Sequence, residues 1–71
     1  MKYLVIIEKG EASFGAYVPD LPGCVAVAET EEEVLSMIHD AIEFHLDGLL
    51  EDGEQIPPPR SNVEYVEVHA A

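Results

Sequence analysis

The sequence predicts an α+β fold in the order β-β-β-α-β: an antiparallel three-stranded meander, one helix on one face, and a fourth strand parallel to the first. Three observations carry this. Short runs rich in β-branched and aromatic residues fill the chain up to Ala28 and are divided by Gly- and Pro-containing turns. From Glu31 onward the apolar residues recur at helical spacing. A last segment, Val63 to His69, alternates as a strand does.

Lys2 to Glu8 is the first strand, with Tyr3, Val5 and Ile7 on one face and Leu4 and Ile6 on the other. A strand apolar on both faces expects cover on both sides. Lys9-Gly10-Glu11-Ala12 forms the turn, and Ser13 to Val18 the second strand, with Phe14, Ala16 and Val18 opposite Tyr17. In Val18-Pro19-Asp20-Leu21-Pro22-Gly23-Cys24, each proline fixes its own φ and pushes the residue before it into extended geometry. Gly23 supplies a backbone conformation that a side chain resists. The expected product is a stiff recognition loop presenting Asp20 and Leu21. Cys24 to Ala28 is the third strand.

Thr30 and Glu33 have the spacing of a capping box, and Glu31 and Glu32 favour the positive end of a helix dipole. Val34, Leu35, Ile38, Ala41, Ile42, Leu46, Leu49 and Leu50 then form one apolar face of a helix spanning about Glu31 to Asp52, with Gly53 as the stop. Pro57-Pro58-Pro59 reads as a polyproline II spacer returning the chain to the sheet. A right-handed crossover lays Val63 to His69 beside the first strand, giving the sheet order 3-2-1-4. One helix covers one face of that sheet, and a second copy of the chain is the expected cover for the other.

A chain of 71 residues makes one domain, residues 1–71. Such a chain buries only about 60% of its unfolded surface and is marginal alone, so a homo-oligomer is expected. One cysteine allows no internal disulfide and fits a reducing cytoplasm. Fifteen acidic against three basic side chains give a net charge of −12. That field repels a phosphate backbone, which argues against direct nucleic-acid binding, and it steers a basic partner. No run approaches the roughly 18 apolar residues that cross a bilayer, and the N-terminus lacks signal-peptide character, so a soluble cytoplasmic protein without membrane contact is expected.

Asp40, Glu43, Asp47 and Glu51 fall three, four and four residues apart and form an acidic stripe away from the apolar face. The plain reading is a solvated outer face; the functional reading is a docking strip for a basic protein, favoured by the absence of any Lys or Arg on the helix. Mg²⁺-dependent chemistry needs acids converging from strands and helix, and the strands offer chiefly Glu8, Glu64 and Glu67. His39 and His45 lie about 240° apart around a helix and cannot chelate one ion together. Cys24 has no local histidine base. Phosphate loops, nucleophile elbows and zinc signatures are missing from the sequence. A non-enzymatic protein without cofactor or metal is the expectation.

The chain resembles the HicB family of toxin–antitoxin proteins. The matching residues are Tyr17-Val18-Pro19-Asp20-Leu21-Pro22-Gly23-Cys24, Thr30-Glu31-Glu32-Glu33, Ala41-Ile42 and Glu51-Asp52-Gly53-Glu54-Gln55-Ile56-Pro57. The resemblance implies a partial ribonuclease-H-like fold and a partner, a small basic HicA-type toxin that cleaves RNA. Many family members carry a C-terminal DNA-binding domain; this chain is expected to lack one and to leave DNA alone. The contact candidates are Asp20, Leu21 and Pro22 in the loop and Asp40, Glu43 and Asp47 on the helix. Two rival readings are an orphan structural homo-oligomer without a toxin and a metal-dependent nuclease remnant.

Overall fold

Strands β1 (Ile6–Lys9), β2 (Phe14–Tyr17) and β3 (Val25–Ala28) form an antiparallel sheet in the order β1-β2-β3, followed by helix α1 (Glu31–Glu51), in a computed structural model that describes residues 1–70. Ile6 pairs with Tyr17, and Tyr17 with Val25; the next row is Ile7, Ala16 and Ala26. The second row faces the helix. Ala16, Val18, Leu21, Cys24, Val34 and Ile38 make the core, with Tyr3, Val5, Ile7, Phe14, Ala26 and Ala28 packed against it. Fully burying a side chain of the size of Leu21, Val34 or Ile38 contributes about 1.5–3 kcal/mol.

The helix begins and ends where its caps dictate. Thr30 is extended and its Oγ1 accepts a hydrogen bond from the Glu33 N–H at 3.1 Å. At the other end Gly53, at φ +72°, donates to Leu50 and Glu54 donates to Leu49, which is a Schellman turn satisfying two otherwise orphaned carbonyls. Val34 and Ile38 are buried, while Ala41, Ile42, Leu46 and Leu49 are half-buried. Leu35 and Leu50, expected on the core face, are exposed. The helix lies over β3 and β2 rather than over β1.

The β2–β3 connection is two consecutive β-turns. Leu21 donates to the Val18 carbonyl at 3.0 Å and Cys24 donates to that of Leu21 at 3.1 Å. Each turn has proline at its second position, which presets the φ required there. Gly23 sits at φ +86°, as the third position of a type II turn demands. Val18, Leu21 and Cys24 therefore stand three residues apart at the turn junctions, and all three point into the core.

The expected fourth strand is not formed: residues 54–70 contain no strand, and Val63 to Ala70 are exposed throughout. Alternation states where side chains fall once a strand has a neighbour, but it supplies no neighbour. The tail is instead tied at the end of the sheet where β1 begins, by contacts described below. A 21-residue helix spans only about 31 Å, and the longest dimension of the molecule is 52 Å, because the tail projects.

Candidate protein-contact surface

The side chains offered to a partner fall into three groups: the β2–β3 loop, the outer face of α1 and the open face of the sheet. In the loop, Asp20 is half-buried and Pro22 exposed, but Leu21 is 0% exposed. Its expected role as a displayed contact is corrected on this point. The double turn drives position 21 inward, and Leu21 anchors the loop from beneath.

Asp20 is occupied by its own chain. Its Oδ2 accepts the backbone N–H groups of Arg60 at 2.8 Å and Ser61 at 2.9 Å, and its Oδ1 accepts the Ser61 hydroxyl at 2.8 Å. These bonds, led by the Ser61 N–H, hold the Asp20 pKa below its ordinary 3.8. The Tyr3 hydroxyl donates to the Pro57 carbonyl, so the proline segment crosses from the start of the first strand to the β2–β3 loop. Pro19, Asp20, Pro22, Ile56, Pro57 and Arg60 line the cleft that results. The loop thus positions the tail as well as facing solvent.

On α1, Asp40, Glu43 and Asp47 are all exposed, as the helical spacing requires. His39 joins two of them: Nδ1 lies 3.3 Å from Asp40 and Nε2 lies 3.2 Å from Glu43. These contacts are ion pairs when the imidazole is protonated, and as exposed pairs they contribute little to stability. Ligand atoms of His39, Asp40 and Glu43 lie within 4.8 Å of one another, all at the surface. Sequence reasoning compared His39 with His45 and passed over its i,i+4 neighbour Glu43.

The residue that sequence reasoning missed is Phe44. It is 83% exposed and sits within the acidic stripe, between Asp40 and Asp47. Met37, one heptad earlier, is also exposed on this side. The spacing 37, 40, 44, 47 was readable as a mixed apolar and acidic stripe, but the acids alone drew notice. An aromatic ring flanked by carboxylates has the composition of an interface anchor with a charged rim.

The third group is the sheet face opposite the helix. Val25 and Val27 are each 64% exposed, and Tyr17 is exposed beside them in the row it shares with Ile6. No cover for this face comes from within the described residues. Cys24, on the other side, is a buried free thiol whose pKa burial pushes up from 9.0.

The sequence profile of HicB-like antitoxins of bacterial toxin–antitoxin systems matches residues 3–70. This chain belongs to the HicB-like antitoxin family. It is 42% identical over 71 residues to a UPF0150 protein of Thermoplasma acidophilum, covering 99% of this chain and 100% of that one. It is 36% identical over 72 residues to antitoxin HicB 2 of Photorhabdus laumondii, across 100% of this chain but 52% of that protein. An uncharacterised 14.9 kDa protein of Haemophilus phage HP1 is 36% identical over 66 residues, 93% of this chain and 50% of its own. The chain thus spans about half the length of the latter two. Among solved structures, a HicA3 and HicB3 toxin–antitoxin complex matches with a TM-score of 0.69 and 28% identity, over 83% of this chain and 70% of that one. No helix among the described residues is long and apolar enough to cross a membrane.

Proposed function

We propose that this chain is a non-catalytic antitoxin that binds a small basic HicA-type toxin by protein–protein contact and blocks its RNA-cleaving surface. The observation that carries the reading is the outer face of α1, where Phe44 stands exposed among Asp40, Glu43, Asp47 and Glu51 with no Lys or Arg on the helix. A toxin that grips RNA must present cationic groups for phosphates. Those groups match carboxylates, and a net charge of −12 speeds their encounter. Phe44 supplies the apolar anchor that charge alone does not. Family membership and the likeness to the HicA3 and HicB3 complex support the same partner class. Pro22 and the exposed edge of Asp20 form a second contact patch at the end of the sheet.

Co-expression with a small basic HicA-type toxin tests the reading. The expected result is a stable complex and relief of growth arrest, both lost in a Phe44→Ala, Asp47→Asn double variant. A wild-type chain that neither co-purifies with that protein nor relieves its toxicity overturns it.

One observation favours a second reading, a homo-oligomer that works without a toxin. The open sheet face with Tyr17, Val25 and Val27 is large and apolar for a chain that functions alone. If this reading holds, the chain self-associates through that face, Val27→Glu separates the copies, and the chain binds no HicA-type toxin.

A further inference from the structure

We propose that residues 62–70 are a strand exchanged between copies: the tail of one chain pairs with the free edge of β1 in a second copy and completes a four-stranded sheet in trans. This stands apart from toxin docking and uses a different surface.

The tail has the composition of a strand and the surroundings of none. Val63, Tyr65, Val66 and Val68 are all exposed, Tyr65 at 96%. In extended geometry, Val66 and Val68 share one face while Val63 and Tyr65 share the other. A strand apolar on both faces belongs inside a two-sided layer rather than in water.

The edge of β1 is a matching acceptor. β1 pairs only with β2, so its outer N–H and C=O groups have no ladder partner. Beside that edge lies a groove of about 470 Å³, lined by Tyr3, Val5, Ile42 and Leu46, with Lys2 and Glu43 at its margin. None of its lining residues belongs to a strand; it opens between the segment that leads into β1 and the side of the helix that β1 leaves uncovered. A strand laid along this edge would send Val66 and Val68 into the groove. Its other face would carry Val63 and Tyr65 onto the open side, extending the row Ile6, Tyr17 and Val25.

Charge and chain direction select a second copy as the occupant. Two of the three basic residues of the chain, Lys2 and Lys9, flank the edge, and the tail carries Glu64 and Glu67. Between two molecules of charge −12, Lys2 and Lys9 offer these carboxylates the opposite sign. The chain passes Tyr3 at Pro57 and is then held at Asp20 in the β2–β3 loop, so pairing with its own β1 requires it to turn back after Ser61. The same anchors hold it outward for another molecule.

Sedimentation velocity over a wide concentration range, with amide exchange at each end of the range, tests the proposal. The full chain should be dimeric, with residues 63–68 protected in the dimer and unprotected on dilution to monomer. Adjacent strand residues aim their N–H groups at opposite edges, so at least one of Tyr65→Pro and Val66→Pro should weaken dimerisation tenfold or more; Val27→Thr, on the open face, should not. Ending the chain at Ser61 should give a folded monomer. The proposal is overturned by a strictly monomeric full chain, by both proline variants dimerising as the wild type does, or by tail protection that persists unchanged in the monomer.

Discussion

Asp20 and Ser61 are joined twice across 41 positions of chain: the carboxylate accepts the serine N–H at 2.9 Å through one oxygen and the serine hydroxyl at 2.8 Å through the other. This pair, with Arg60, decides where the C-terminal segment leaves the body.

The clamp makes tail attachment sensitive to acid. The hydrogen bonds lower the Asp20 pKa below 3.8, so their stabilisation is complete above that value and is lost as the pH falls through the lower folded-state pKa. The Arg60 and Ser61 amides should therefore lose exchange protection on that acid limb while the helix still holds. Asp20→Ala should release them at neutral pH, and Asp20→Asn should retain part of the clamp with no acid transition. Amide exchange followed against pH measures all three.

Leu21→Ala should destabilise the domain by about 2–5 kcal/mol, since it empties a fully buried position between two turns. In a chain this small that is a large share of the total stability. Urea unfolding followed by circular dichroism provides the number. A loss under about 0.5 kcal/mol, as at ordinary surface sites, would mean Leu21 is displayed after all.

Phe44→Ala should leave stability within about 0.5 kcal/mol of the wild type, because the residue is 83% exposed in the free subunit. If the proposed function holds, binding to a HicA-type toxin should weaken by about tenfold or more, as for a central aromatic anchor. Calorimetric titration and thermal melts on the same variant separate the two effects.

Cys24 should react slowly with a thiol reagent in the folded protein and rapidly in urea. Burial both shields the sulfur and raises its pKa above 9.0, which lowers the thiolate fraction at neutral pH. Colorimetric thiol titration follows the rate. Fast labelling of the native protein would show that β3 opens readily.

What could be read from the sequence was whatever local chemistry decides. The three strands, the Thr30 cap and the Gly53 stop follow from neighbours within a few residues, and each stands where spacing put it, with β1 starting at Ile6 rather than Lys2. The prolines flanking Asp20 identified a stiff loop. They could not reveal that Leu21 faces inward, because that depends on two turns stacked end to end against the helix. Val63 to His69 has strand composition without a strand, since pairing depends on a neighbour that no window of sequence contains. On the helix, Asp40, Glu43 and Asp47 stand exposed as their spacing requires, while Phe44 belongs to neither the charge pattern nor the apolar face and is picked out only by its exposure.

The succession β1-β2-β3-α1, with each strand bonded to the next along the chain, gives the body a low contact order. Its loop closures are short, so its nucleus forms without help from the last dozen residues. Those residues therefore stay outside the folding nucleus and join the finished body only where Asp20 grips Arg60 and Ser61.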